Sequence, residues 1–146
     1  MNPPRRVITG LDGEGRSCLL IDGRSSMVIW STEGSPADNS ATADAGGGPF
    51  RFPSSGTLFV FADFAPGATS PMHATDTIDY IVVVSGEVVF ITETGETLLR
   101  AGDVLVDRGI MHAWRNDSDA PCRIMNVLSP ANPVGKGATV AGIVRI

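Results

Sequence analysis

Seventeen glycines and ten prolines punctuate this chain of 146 residues, and the runs between them are short, β-branched or aromatic, without helical periodicity. Punctuation that dense leaves little room for helices of ordinary length, so the chain reads as all-β. Predicted strands fall at 5–8, 18–22, 27–31, 57–64, 79–84, 88–92, 96–99, 103–106, 112–116, 122–128 and 139–145. Many short strands separated by turns close into a sandwich or barrel. No segment repeats, so one unit is expected.

A chain of this length buries a core without metals or disulfides to hold it. Hydrophobic residues make up 42% of it, yet no apolar run approaches the roughly 20 residues of a membrane-spanning helix, so no membrane partner is expected. Arg5 and Arg6 near the start are not followed by an apolar stretch of signal-peptide type, which makes a cytoplasmic location the expectation. Cys18 and Cys122 have no CxxC spacing and read as reduced core residues. The net charge of −5, with eleven scattered basic residues, argues against a nucleic-acid partner, because such proteins concentrate positive charge on one face. Nucleophile motifs, phosphate loops and dinucleotide fingerprints are absent.

The composition divides the chain into N-terminal strands (1–31), a loop rich in Gly, Ser, Ala and Asp (32–53) and a barrel core (54–146), all within one structural domain. The loop is expected to be mobile surface or an arm that closes a pocket or wraps a partner, with Phe50 and Phe52 as its anchors. The run Ile81-Val82-Val83-Val84 lacks polar alternation, so both of its faces are expected to be covered. A homodimer accounts for that.

Chemistry concentrates between Gly67 and Asn116. His73, Thr75 and Asp79 fall at odd positions and share a face if the strand is regular, and His112 follows the next corner at Arg108-Gly109. The chain has only two histidines, and both lie here. Asp79 precedes an apolar run, where an unpaired carboxylate is costly, so it needs a partner such as a metal or a histidine. Asp76, of opposite parity, reads as a turn or surface group unless a kink brings it inward. Trp114 shares parity with His112 and reads equally as a pocket wall or as core packing. Tyr80 reads as packing or a dimer contact, and Arg108 as a solvated turn residue or an anion ligand. Arg115 and Asn116 are expected to stabilise the following turn. Inward positions supplied by Leu58, Val60, Phe61, Ile81, Val83, Val106, Trp114 and Ile124 predict an apolar pocket suited to an aromatic or polyketide-like ligand.

These residues resemble the cupin superfamily, whose two motifs read G-x5-H-x-H-x3,4-E-x6-G and G-x5-P-x-G-x2-H-x3-N. The first is matched by Gly67, His73, Thr75, Asp79 and Gly86, with threonine in place of the second histidine and aspartate in place of the glutamate. The second is matched by Gly102, Arg108, Gly109, His112 and Asn116, without the proline and one residue short. The match spans about a third of the chain and is most similar to small single-domain bacterial and fungal cupins of the type-2 conserved barrel. It implies a jelly-roll barrel, a double-stranded β-helix.

The resemblance also implies a divalent metal (Fe, Mn, Ni or Zn) on His73, Asp79 and His112, with Thr75 lining its open side; Trp114 and Arg108, from their positions in the sequence, join Thr75 as candidate substrate-binding residues. Three functions fit. A metal-dependent enzyme of lyase, isomerase, cyclase or dioxygenase type would use the metal to polarise a small oxygenated substrate. A metal-free dehydratase or decarboxylase would move a proton on His73 or His112, with Asp79 orienting the ring. A non-catalytic module would only bind a small molecule. Fold alone does not choose among them.

Overall fold

The computed structural model describes residues 1–134 and 144–145. These form twelve strands and no helix: β1 (Arg5–Leu11), β2 (Ser17–Arg24), β3 (Val28–Ser31), β4 (Leu58–Phe64), β5 (His73–Ala74), β6 (Thr77–Ser85), β7 (Glu87–Thr92), β8 (Glu96–Arg100), β9 (Val104–Asp107), β10 (His112–Arg115), β11 (Cys122–Pro130) and β12 (Val144–Arg145). Of the strand expected at 139–145, the last two residues are β12, and 139–143 lie outside the described residues.

Two five-stranded antiparallel sheets face each other, one ordered β12-β5-β10-β7-β8 and the other β3-β4-β11-β6-β9, and β1 and β2 form a separate hairpin. From β4 to β12 the chain passes from one large sheet to the other at every connection except the β7–β8 hairpin, which is the jelly-roll pattern. β3, grouped by composition with the N-terminal strands, pairs with β4 inside the second sheet.

Inward side chains of β6, β7, β8, β10 and β11 make the larger core: Ile81, Val83, Val88, Phe90, Leu99, Trp114, Cys122 and Ile124. A second cluster joins Val28, Leu58, Val60 and Leu128, with Phe52 of the long loop packed on it. Asn126 sits between Ile124 and Leu128 on β11, opposite Val60 on β4 and Ile81 on β6. A polar inward position therefore lies where the apolar core divides.

The alternation of β4 turns Leu58 and Val60 inward and Phe61 outward, where the Arg123 guanidinium lies over its ring. Val106 is likewise on the outside of β9. These two correct the expected inward set. Val82 and Val84 are exposed while Ile81 and Val83 are buried, so within one chain the valine run is covered on one face only. Cys122 is buried and free, but Cys18 is a half-buried hairpin residue rather than a core one.

No regular strand or helix forms between β3 and β4. The segment is tied back by its own polar groups: Asp44 to Arg6, the Ala45 carbonyl to the Ser31 backbone N–H, and the Gly47 N–H to the Val28 carbonyl. Phe52 anchors it in the core, and Phe50 packs edge-on against Phe52 while staying exposed.

Candidate functional site

β5 and β10 are neighbours in one sheet, with His73 directly opposite His112. Their rings stand 4.3 Å apart, centroid to centroid, at 54°. His73 Nδ1 lies 2.9 Å from the Pro71 carbonyl, and His112 Nδ1 lies 2.9 Å from both the Ile110 carbonyl and Asp107 Oδ2. Carbonyl and carboxylate oxygens only accept, so each Nδ1 carries the hydrogen. The lone pair of each neutral ring is then on Nε2. Phe90 stacks on His112 at 5.2 Å, and Trp114 meets it edge-on at 6.1 Å.

Asp107 ends β9 and is 3% exposed. Its Oδ1 accepts the backbone N–H groups of Gly109 (3.1 Å) and Ile110 (3.2 Å), which leaves Oδ2 for His112. Asp79 on β6 is the direct cross-strand partner of Asp107. Two carboxylates so placed repel unless a cation offsets them, and His112, bonded to one and within the field of the other, is placed to do so. Burial lowers the His112 pKa, but the Asp107 hydrogen bond and charge, the Ile110 carbonyl and the Asp79 charge together raise it above the ordinary imidazole value. Burial pushes the Asp79 pKa up; hydrogen bonds from Asn126 and Thr77 oppose this, Asp107 adds to it, His112 opposes it, and the net direction is upward.

Asp79 is held by a buried polar chain. Thr77 Oγ1 donates to its Oδ1 at 2.7 Å, and Asn126 Nδ2 donates to its Oδ2 at 3.0 Å. Thr75 and Thr77 hydroxyls are 2.8 Å apart; because the Thr77 hydrogen goes to Asp79, Thr75 is the donor. The amide nitrogen of Asn126 being committed, its Oδ1 is buried without a partner. Asp76 Oδ1 is also buried and unpaired, so the bend between β5 and β6 brings Asp76 inward, against its reading as a surface group.

The same bend moves the chain from one sheet to the other, so His73 and Asp79 do not share a strand face as a regular strand would require. The structure brings together His73 with His112, and His112 with Asp107 and Asp79. The residue that hydrogen-bonds the His112 ring is Asp107, not Asp79. Thr75 is buried with its hydroxyl engaged, Trp114 is at once a core residue stacked on Phe64 and a neighbour of His112, and Arg108 is exposed at the corner after β9. Asn116 ties the turn after β10 to the Phe64 and Ala120 carbonyls, and Arg115 pairs with Glu96 and Asp117.

A metal on His73, Asp79 and His112 needs three converging donors. Among the described residues no three His, Cys, Asp or Glu side chains gather in that way, and residues 135–146 contain none of these types. The two imidazoles are suitably paired, but Asp79, turned toward Thr77 and Asn126, does not converge with them. As arranged, the set supplies two ligands and does not fit a three-ligand centre. A separate cavity of about 1060 Å³ lies between the hairpin, the long loop and the outside of β3 and β4, lined by Arg6, Ile8, Trp30, Asp44 and Phe59 among others; neither histidine lines it.

Asp107, Thr77 and Asn126 were not singled out by sequence. Asp107-Arg108-Gly109 carried a signal, since an aspartate two residues before a left-handed glycine caps its own turn, and Gly109 has φ of 77°. Asn126 carried another, as the polar residue among the otherwise apolar alternate positions Cys122, Ile124 and Leu128 of its strand.

A Cupin domain model matches residues 60–128. A cupin-domain-containing oxidoreductase of Neurospora crassa is 33% identical over 94% of this chain and 81% of its own length. Phomopsin biosynthesis cluster protein D of Diaporthe leptostromiformis is 32% identical over 92% of this chain and 82% of its own. A solved double-stranded β-helix protein of Klebsiella pneumoniae superposes with a TM-score of 0.50 at 25% identity, covering 61% of this chain and 73% of that one. Two motifs, a jelly roll and relatives matched over nearly the whole chain agree: the protein belongs to the cupin superfamily.

Proposed function

We propose that this cupin is an enzyme acting on a small oxygenated molecule by proton transfer, with His112 as the acid that gives a proton to the substrate and His73 or Asp79 as the base that takes one from it. The observation that carries this is the Asp79, His112 and Asp107 grouping: an imidazole hydrogen-bonded to one buried carboxylate and within the field of a second has its pKa raised and holds its acid form to higher pH than an exposed histidine, and the raised Asp79 pKa makes that carboxylate a stronger base than an exposed one. Phe90 and Trp114 supply an apolar and aromatic wall, which suits a ring-bearing substrate. The relatives in fungal biosynthesis clusters and the relative named as an oxidoreductase are consistent with small-molecule chemistry.

A metal-dependent reading of the same residues is favoured by one observation, the paired rings both held through Nδ1, as metal-bound histidines are. It requires Asp79 to turn toward the two rings. Metal analysis of protein purified without a nickel column separates the two. Less than about a tenth of an equivalent supports proton transfer, and a stoichiometric first-row metal removed together with activity by a chelator rejects it. Under either reading, His112→Ala abolishes turnover with the circular dichroism of the fold intact; unchanged turnover rejects the site. Tight retention of one small molecule with no turnover would instead mark a binding module.

A further inference from the structure

We infer that Asp107 is a positioning residue that imposes one tautomer on His112 and so selects Nε2 as the working nitrogen. The inference rests on His112 being a site residue and deepens that reading.

The argument is one of hydrogen-bond accounting. The Asp107 carboxylate cannot turn freely, because Oδ1 is fixed by two backbone N–H groups of its own corner. Oδ2 therefore faces His112 Nδ1 at 2.9 Å with no hydrogen of its own to offer. The Ile110 carbonyl faces the same nitrogen from the following corner, also at 2.9 Å. Two acceptors aimed at Nδ1 require a hydrogen there, in the neutral ring as in the protonated one. The groups lie within six residues of chain, so the corner between β9 and β10 assembles its acceptor pair locally and presents it to the first residue of β10. Burial sharpens the requirement: Asp107 is 3% and His112 5% exposed, so water does not compete for either partner. Phe90, stacked on the ring, limits its rotation to relieve a mismatch.

Asp107→Asn distinguishes this from a merely structural role. The Gly109 and Ile110 N–H groups keep the amide oxygen where Oδ1 is, which puts the amide NH2 in the place of Oδ2. A donor then faces Nδ1 with only the Ile110 carbonyl left to hold a hydrogen there, so the balance of tautomers shifts toward a hydrogen on Nε2 with Nδ1 accepting. Because the chain has two histidines, a long-range proton–nitrogen spectrum of uniformly labelled protein shows only two imidazoles, and a His73→Gln sample assigns them. The spectra are taken at a pH high enough for both rings to be neutral. The expected result is a bare Nε2 on His112 in the wild type and, in Asp107→Asn, a population of His112 with a bare Nδ1 that the wild type lacks, with His73 unchanged. A wild-type His112 carrying its hydrogen on Nε2 overturns the inference whether or not the variant folds, and so does an Asp107→Asn protein that keeps the wild-type pattern. No turnover is read, so failure here is separate from failure of the proton-transfer proposal, which His112→Ala tests.

Discussion

Asp79 is the residue at which stability and function are set against each other. Burial makes its ionised form costly, and its upward pKa means that the ionised form is less stable in the folded chain than in the unfolded one. Asp79→Asn removes the charge, still accepts from Thr77, and allows the Asn126 amide to turn so that its orphaned oxygen accepts from the new side chain. We expect a gain of about 1 kcal/mol, read as a rise of roughly 3 °C in Tm at neutral pH by calorimetry; a fall in Tm would show that the ionised form is the stabilising one. His112 contributes with a definite sign. Its folded pKa is raised, so its contribution is fully present below the unfolded value of about 6.5 and is lost as pH rises through the folded value. The wild type therefore loses more stability between pH 6 and pH 9 than His112→Gln does, measured as the difference in urea midpoints. Equal losses would contradict the raised pKa.

Among the elements, the corner joining β9 to β10 matters most, because it carries Asp107 on one side and His112 on the other. It fits beneath the β5–β6 bend only because residue 109 is glycine. A Cβ there would lie 3.0 Å from the Thr75 carbonyl oxygen and 3.2 Å from that of Thr77, at a φ of 77° that other residues rarely adopt. Backbone atoms cannot yield as a side-chain tip can. Gly109→Ala is expected to cost about 1–3 kcal/mol in urea unfolding, with the nitrogen signals of His112 displaced and those of Arg115 unmoved. A cost under about 0.5 kcal/mol, in the range of an ordinary surface change, would show that the corner has slack.

For the whole molecule, the outer face of the second sheet stands out. Tyr80 (53% exposed), Val82 (36%) and Val84 (48%) of β6 lie beside Val104 (75%) and Val106 (51%) of β9, paired Tyr80 to Val106 and Val82 to Val104. Five exposed apolar residues on two bonded strands, one of them the sheet edge, make a contiguous patch of the kind that marks an association surface. We propose that a second copy of the chain covers it, as the uninterrupted Ile81–Val84 run suggests. Light scattering should give twice the chain mass for the wild type and the single mass for Val104→Glu. A monomeric wild type at micromolar concentration removes the dimer.

Strand positions, the all-β class and the two histidines were legible in the sequence because turn residues and two-residue alternation are local: β4, β7 and β11 fall where their apolar runs and flanking glycines or prolines put them. The convergence of His73 and His112 was legible through motif spacing. Local parity failed where the chain leaves one sheet for the other, which is why Asp76 turns inward and why His73 and Asp79 belong to different sheets. Only tertiary structure decided that Asp107 rather than Asp79 holds the His112 ring, and that Asn126 reaches Asp79 across from β11. Which oxygen a buried nitrogen meets depends on strands brought together by a fold, and no periodicity along a single strand encodes that meeting.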